Sequence, residues 1–220
     1  MAEKLGEDFE LRHIKRASSD ADWRSAAQAD YLVLAVPFQS YDAVLDRLGP
    51  LNKSTVIVDV CSVKTLPIAA LRERFPEQPL LATHPLFGPQ SAGRTFEGHH
   101  IVVCPLPGGE VLEDRAQRFF EELGLKVTLQ LPEEHDRMMA ELHGLTFFVA
   151  RTLNLYGVQQ QDLMTPSYQS LLKLAQLEEH HSAELFATIQ LANPYTEEVR
   201  QRFCAIAHKL NEHLNMETKS

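Results

Sequence analysis

The first two-thirds of the chain alternates short apolar runs with amphipathic stretches, which is the pattern of a parallel sheet whose strands are joined by helices. The runs that we predict as strands are residues 9–14, 31–36, 55–60, 80–83, 100–104 and 126–129. Amphipathic stretches at residues 41–48, 65–74 and 111–123 are predicted to be connecting helices. The run 31–36 is apolar throughout, so we expect it to be buried on both faces.

The pattern changes after Pro132, where apolar side chains recur with the spacing of one long helix that ends at Gly157. The residues of this apolar stripe are Met138, Leu142, Leu145, Val149 and Leu153. The stripe is longer than a few helices can cover by themselves. We therefore predict that the helical part of the chain forms the interface of a homodimer.

Two dipeptides predict further helix starts, because each places a capping side chain directly before a proline. They are Thr165-Pro166 and Asn193-Pro194. The chain is thus expected to hold an α/β domain of the nucleotide-binding type, residues 1–130, followed by an all-α domain, residues 131–220.

Composition and charge narrow the classes of partner. Hydrophobic residues make up 44% and charged residues 23% of the 220 residues, as in soluble globular proteins. The net charge of −9 disfavours nucleic acid. Neither a membrane span nor a secretory signal is visible. Cys61, Cys104 and Cys204 are widely spaced and odd in number, which is typical of reduced thiols. We expect a cytoplasmic protein that binds a small molecule.

Three segments contain candidate catalytic residues. The predicted strand 55–60 leads into D-V-C-S-V-K, which places Ser62 at the carboxyl end of a parallel strand. The next strand leads into T-H-P-L-F-G-P, which places His84 at the same edge, where open α/β sheets bind ligands. A glycine-spaced loop follows. The third segment is E-H-D, residues 134–136, at the start of the long helix.

Each segment also has a structural explanation when it is considered alone. Ser62 is explained as the N-cap of the next helix. His84 is explained as a loop histidine, and Asp136 as a carboxylate in the first turn of its own helix. The adjacent pairs His99-His100 and His180-His181 lack a carboxylate partner, so we predict solvated or core histidines and no metal site.

The order and spacing of the three segments together resemble the prephenate dehydrogenase family, over residues 9–189. The matching motifs are D-x-x-S-V-K, H-P-x-F-G-P and E-H-D-x-x-M-A. The resemblance implies a Rossmann-like sheet that lacks its first strand, followed by a helical domain. It also implies NAD(P)-dependent oxidative decarboxylation of prephenate or arogenate in tyrosine biosynthesis. His84 would accept the proton of the ring hydroxyl with a pKa near the ordinary 6.5, and Ser62 would orient that hydroxyl.

The chain departs from the family pattern where the cofactor binds. The family begins with a strand, a G-x-G-x-x-G turn and a helix, whereas the first fifty residues here contain only Gly6 and Gly49. Residues 1–5 are similar to the tail of that helix. We predict that the cofactor contacts are Lys15, Arg16, Val36 and Pro37. The cations after the segment 9–14 favour NADP over NAD, and the alternative is a solvated basic turn.

Substrate anchoring departs from the family pattern as well. Phe147 stands where the family has a histidine, and Leu177 stands where it has an arginine that binds a carboxylate of prephenate. Lys173, His180 and His181 lie near enough along the predicted helices to substitute in principle, with Lys173 and His180 as the predicted substrate contacts, but we do not expect full replacement.

Two further interpretations stay open. The chain could be a catalytically impaired relative that acts as a binding or dimerising protein. It could also be a fragment whose first strand is encoded upstream. For either reason, little activity is expected of the chain alone.

Overall fold

The computed structural model describes residues 9–88, 95–177 and 181–217. Three features of the sequence fall outside these ranges. They are the expected helix tail at residues 1–5, most of the glycine-spaced loop at residues 89–94, and His180.

The described residues form a sheet with the strand order β1-β2-β3-β4-β5. The strands are β1 (Tyr31–Leu34), β2 (Val56–Asp59), β3 (Leu80–Pro85), β4 (His100–Cys104) and β5 (Lys126–Leu129). Strands β1 to β3 are parallel, β4 is antiparallel to β3, and β5 is parallel to β4. The direction reverses because the sequence offers no amphipathic stretch for a crossover helix between β3 and β4. The predicted α/β fold is confirmed, with this reversal added.

The segment 9–14 is not a strand, contrary to the prediction. Its backbone has no ladder partner among the described residues, and Phe9 packs edge-on against Tyr31 and Phe119 instead. The prediction that the strand at 31–36 is buried on both faces is also wrong. Tyr31 and Val33 are 43% and 54% exposed. The reason is that only the other face of β1, with Leu32 and Leu34, packs against the core.

The helices described in the first part are α1 (Asp20–Ala26), α2 (Tyr41–Leu48), α3 (Thr65–Arg74) and α4 (Glu110–Glu122). Three of these four follow the predicted stretches, and α1 was not predicted. A short 3-10 turn, Phe38–Ser40, leads from β1 into α2. Helix α1 begins with a capping box, in which the Ser19 hydroxyl accepts from the Asp22 amide and the Asp22 carboxylate accepts from the Ser19 amide.

The second part is helical, as predicted. Its elements are α5 (Pro132–Met139), a π-helical turn (Ala140–Leu145), α6 (Thr146–Tyr156), α7 (Pro166–Gln176), α8 (Ala183–Leu191) and α9 (Thr196–Glu217). Gly157 ends α6 in the left-handed conformation, with φ 89°, and the Thr165 hydroxyl caps α7. Asn193 does not cap a helix, because α9 begins only at Thr196. Its side-chain nitrogen donates to the carbonyl of Asp136, and its side-chain oxygen accepts from the backbone amide of Tyr195.

The π-helical turn interrupts the predicted long helix where another helix approaches it. A Cβ atom on Gly144 would lie 2.6 Å from Cγ2 of Thr196, the first residue of α9. The side-chain amide nitrogen of Gln190 donates a hydrogen bond to the backbone carbonyl of Gly144 over 2.7 Å. The turn is therefore stabilised by tertiary contacts that require glycine at this point.

The helical part packs back against the sheet part. The hydroxyl of Thr188 in α8 donates to the side chain of Gln39 in the 3-10 turn. Ala192, which follows α8, belongs to the same buried cluster as Leu34 and Leu80. These contacts place the helical part over the carboxyl ends of strands β1 to β3. No helix among the described residues is long and apolar enough to cross a membrane.

The predicted stripe from Met138 to Leu153 is mostly covered within the chain, since α6 packs on α7 and the π-helical turn packs on α9. Leu142 remains 54% exposed. A second stripe is uncovered, because α9 is exposed from residue 201 to residue 217. We call this second set the α9 stripe, and it consists of Phe203, Ile206, Leu210 and Leu214.

Candidate active site

Three buried side chains form a hydrogen-bonded chain between the sheet and the helical part. Nδ1 of His84, in β3, lies 2.9 Å from Nε2 of His135, in α5. Nδ1 of His135 lies 2.8 Å from Oδ1 of Asp136. His135 and Asp136 have no solvent-exposed surface, and His84 is 4% exposed. The E-H-D segment therefore belongs to the same site as His84.

Asp136 is bound at the N-terminus of α3. Its oxygens accept hydrogen bonds from the backbone amides of Lys64 and Thr65, each over 2.8 Å, and from the Thr65 hydroxyl. Burial by itself would raise the pKa of Asp136, but hydrogen bonds from His135, Thr65 and Lys64 outweigh it and lower the pKa below the ordinary value. The carboxylate caps a different helix from its own, so the first-turn explanation is wrong.

An ionised Asp136 determines the tautomers of both histidines. It accepts from Nδ1–H of His135, so Nε2 of His135 carries a lone pair. This lone pair accepts from Nδ1–H of His84, which leaves the lone pair of His84 on Nε2. The site thus presents His84 as a proton acceptor.

The pKa of His84 lies well below 6.5, mainly because burial disfavours the cation, with His135, His143 and Lys64 adding to the effect. The expected ordinary pKa is wrong for this reason.

A buried ion pair orders the D-V-C-S-V-K segment beneath the site. Lys64 has no exposed surface, and its ammonium pairs with Asp59 and donates to the carbonyl of Thr83 over 2.5 Å. Asp59 also accepts from the hydroxyl of Tyr41 and from the amide of Cys61. Because both charged groups of the ion pair are also hydrogen-bonded, these contacts tie the turn between β2 and α3 to β3 and to α2.

Ser62 and His84 are brought to the same edge of the sheet. Asp59 is in register with Ala82, Ser62 follows Asp59 by three residues, and His84 follows Ala82 by two. The Ser62 hydroxyl oxygen is buried and has no hydrogen-bond partner among the described residues. The N-cap explanation is therefore wrong for Ser62, and its hydroxyl is free to meet a ligand.

His143 is a member of the cluster that the sequence did not single out. Its ring centroid lies 5.4 Å from that of His84, at an interplanar angle of 83°. Burial lowers the pKa of His143 to about 4, with smaller effects from His135 and His181. Its Nδ1 atom is buried and has no partner among the described residues.

The π-helical turn explains why sequence spacing did not reveal this residue. His143 lies eight residues after His135, which in a regular helix would set the two side chains about 80° apart. A π turn takes one more residue than an α turn. The side chains of His135 and His143 are therefore arranged as if they were seven residues apart in a regular helix. Residues with that spacing lie on the same face of a helix.

A family model described as "Prephenate dehydrogenase, nucleotide-binding domain" matches residues 6–129, more than half of the 220 residues. The chain belongs to the prephenate dehydrogenase family. The resemblance inferred from the three motifs is thus confirmed.

Curated relatives agree with this assignment. Arogenate dehydrogenase 2, chloroplastic, of Arabidopsis thaliana is 32% identical over 182 residues, which are 79% of this chain and 51% of that protein. A probable arogenate/prephenate dehydrogenase of Methanocaldococcus jannaschii is 25% identical over 220 residues, or 95% of this chain and 47% of that protein. The chain spans about half the length of these two relatives.

Solved structures share the fold. A putative prephenate dehydrogenase from Corynebacterium glutamicum has a TM-score of 0.72 at 22% identity, covering 94% of this chain and 68% of that one. Prephenate dehydrogenase from A. aeolicus, in complex with hydroxyphenyl propionate and NAD+, has a TM-score of 0.69 at 18% identity, covering 93% and 75%. These likenesses confirm the Rossmann-like sheet followed by a helical region.

The two positions at which this family member departs from the pattern lie near histidines. Phe147 packs edge-on against His181, with ring centroids 4.8 Å apart, and lies 6.1 Å from His143. The carbonyl of Leu177 accepts from Nδ1 of His181 over 2.6 Å. Lys173 is exposed on α7, and no described hydrogen bond or ion pair joins it to the cluster. His180 lies outside the described residues.

The predicted cofactor residues lie at two ends of one helix. Val36 and Pro37 are half-buried just before the 3-10 turn that leads into α2. Lys15 and Arg16 are exposed in a turn, and Arg47 in the last turn of α2 donates to the carbonyl of Arg16 over 2.6 Å. Eight helical residues, roughly 12 Å, separate the two groups.

These residues fit a nicotinamide dinucleotide only in part. The carboxyl edge of β1–β3, with the unpartnered Ser62 hydroxyl, suits a nicotinamide ring. Within the 220 residues no G-x-G-x-x-G turn is present to approach a pyrophosphate. The described residues also contain no group of three His, Cys, Asp or Glu side chains arranged to hold a metal ion.

Proposed function

We propose that this chain carries the catalytic site of an NAD(P)-dependent dehydrogenase that oxidatively decarboxylates prephenate or arogenate in tyrosine biosynthesis. The observation that supports the proposal is the hydrogen-bonded chain His84–His135–Asp136 at the edge of a sheet that matches a nucleotide-binding family. The reaction removes the proton of a hydroxyl group. The hydrogen-bonded series from Asp136 through His135 to His84 ends in Nε2 of His84, which can accept that proton.

The proton path follows from the tautomers. Nε2 of His84 accepts the hydrogen bond and then the proton of the ring hydroxyl. The cation that forms is shared with His135 through the bond between the two rings, and the ionised Asp136 stabilises it. A buried imidazole with a depressed pKa is unprotonated at neutral pH, so the acceptor is available in the resting site.

Ser62 orients the substrate. Its buried hydroxyl can donate to the same ring oxygen whose proton His84 accepts, and this double contact directs the carbinol hydrogen toward the cofactor. A bound nicotinamide supplies the hydride acceptor. Val36, Pro37, Lys15 and Arg16 are the residues that we propose to contact the dinucleotide. The two cations favour NADP, because a 2′-phosphate is anionic.

The proposal is tested by a steady-state assay of the purified chain with prephenate and with arogenate, each with NAD+ and with NADP+. We expect slow turnover of at least one pair, and we expect His84→Ala to abolish it. A matched control is His99→Ala, since His99 packs on Phe87 and no described contact joins it to His84, His135 or Asp136. Turnover that is equal in the wild type and in His84→Ala would refute the role of His84.

A second candidate function is that of a catalytically impaired family member that serves as a binding or dimerising protein. The substitutions Phe147 and Leu177 and the exposed α9 stripe favour it. A chain that binds neither substrate nor dinucleotide but forms a stable dimer would support this candidate over the enzyme. We propose a homodimer in either case, with residues 131–220 as the helical substrate and dimerisation domain.

A further inference from the structure

Unpartnered polar atoms concentrate around His84. The described residues contain four buried side-chain nitrogen or oxygen atoms that make no hydrogen bond, and two of them are Oγ of Ser62 and Nδ1 of His143. Buried polar atoms are nearly always paired in folded proteins, because leaving one unpaired costs free energy. One of these atoms belongs to a ring in contact with His84, and the other lies at the sheet edge that carries His84, which indicates that the pairing is completed by a ligand.

Among the contacts of the described residues, none requires an imidazole at His143. Its ring contacts are edge-to-face or tilted packing against His84 and Phe147, which an apolar ring would make equally well. Its pKa of about 4 makes the ring neutral, so it supplies no charge to a neighbour at physiological pH. What remains is a nitrogen that can donate one hydrogen bond into the site.

Donors are scarce in this part of the molecule. The ammonium of Lys64 is used by Asp59 and by the carbonyl of Thr83. Nε2 of His84 is an acceptor, the Ser62 hydroxyl is assigned to the ring oxygen of the substrate, and Lys173 is exposed on α7. A carboxylate beside His84 would therefore find Nδ1–H of His143 as a hydrogen-bond donor within the cluster.

We infer that His143 binds substrate in this chain. Its Nδ1–H donates a hydrogen bond to a carboxylate oxygen of the same molecule whose ring hydroxyl gives its proton to His84. The inference rests on the proposed function and deepens it. The π-helical turn is the local structure that aims His143, since it brings this residue onto the face that His135 occupies. The contacts of Gly144 with Thr196 and Gln190 hold that turn.

The test compares His143→Leu and His143→Gln with the wild-type chain. Binding of prephenate, arogenate and hydroxyphenyl propionate is measured by calorimetry, and the melting temperature of each free variant is recorded. A hydrogen bond to a charged group corresponds to roughly a ten- to hundredfold change in affinity. We expect His143→Leu to raise the Kd by that factor, and His143→Gln, which keeps an N–H donor, to restore most of the affinity.

A matched control is His208→Ala, at an exposed position of α9 where the imidazole faces Glu212. It should leave the Kd unchanged. His143→Leu should melt no lower than the wild type, because it removes an unpaired buried nitrogen. A clear loss of melting temperature would indicate a structural histidine and overturn the inference.

The binding results separate the inference from the proposed function. If the wild type binds a ligand and His143→Leu binds it equally well, the inference fails and the proposed function stands. If the wild type binds none of the three compounds, the proposed function fails, and the substrate role of His143 fails with it.

Discussion

Asp136 and His84 are joined through His135, so a carboxylate at the N-terminus of α3 determines which nitrogen of a histidine in β3 carries the proton. The three residues come from two separate parts of the chain. Their alignment depends on how α5 packs across α3 and the sheet, and the first prediction tests this alignment.

Asp136→Asn should lower kcat by about two to four orders of magnitude, which is the usual contribution of the general-base catalysis that Asp136 supports through His135 and His84. An amide in place of the carboxylate can neither enforce the Nδ1–H tautomer of His135 nor stabilise the cation that forms. The Kd of the substrate should change little. Glu133→Gln, exposed in the same helix, is the control and should keep its rate. Full retention of kcat in the Asp136→Asn variant would rule out the relay.

Acid should destabilise the folded chain before its carboxylates titrate. His143, with a pKa of about 4, and His84, also depressed, stay neutral when folded but bind protons near pH 6.5 when unfolded. Their contribution is fully present above that pH and is lost as the pH falls from about 6.5 toward 4. The contribution of Asp136 is lost only below its ordinary pKa of 3.8.

Urea denaturation between pH 7 and pH 4.5 checks this expectation. The free energy of unfolding should fall by up to about 1.4 kcal/mol per pH unit for each such histidine. The slope of this free energy against pH reports the number of protons bound on unfolding. His143→Leu should lower that number by about one, whereas His208→Ala should leave it unchanged. An unchanged slope in His143→Leu would contradict the depressed pKa.

Gly144→Ala should destabilise the chain by about 1–3 kcal/mol, because the new methyl group would overlap Thr196 in a fully packed contact. Thr196→Ala removes the overlapping atoms and should relieve part of this loss. A double-mutant cycle measured by denaturation is the check, and a coupling energy near zero would show that the two residues do not meet. Leu142→Ala, exposed on the same turn, is the control.

Ile206→Glu should shift the chain from dimer to monomer, since it places a charge in the α9 stripe. Asn211→Glu introduces the same side chain on the same helix outside the stripe and should leave the dimer intact. Light scattering at micromolar concentration measures both. A wild-type chain that is monomeric under these conditions would refute the proposed interface.

Dinucleotide binding should be weak for the 220-residue chain, because no G-x-G-x-x-G turn within it contacts the pyrophosphate. The residual affinity should favour NADP+, and Lys15→Ala together with Arg16→Ala should remove the preference. Fluorescence titration with both dinucleotides measures this, and Lys53→Ala provides an exposed control. Tighter binding of NAD+ than of NADP+ would remove the proposed phosphate contact.

Local pattern was enough to predict most of the fold. Five of the six predicted strands and the helices between them exist, because a continuous apolar run or an amphipathic face fixes which side chains must leave water. The segment 9–14 failed because a strand needs a hydrogen-bonded neighbour, and no pattern within six residues reports whether one is present. The exposure of Tyr31 and Val33 was not foreseen because coverage of the second face of a strand depends on elements that are remote in the sequence.

The sequence by itself determined the family, the fold class and the placement of Ser62 and His84 at one sheet edge, since strand ends and their following residues are read along the chain. Only the tertiary structure decided that Asp136 caps a neighbouring helix, that His84 is buried with a depressed pKa, and that a π-helical turn directs His143 into the site. Each of these depends on contacts between residues about fifty or more positions apart, and desolvation and helix phase are set by such contacts and not by spacing along the chain.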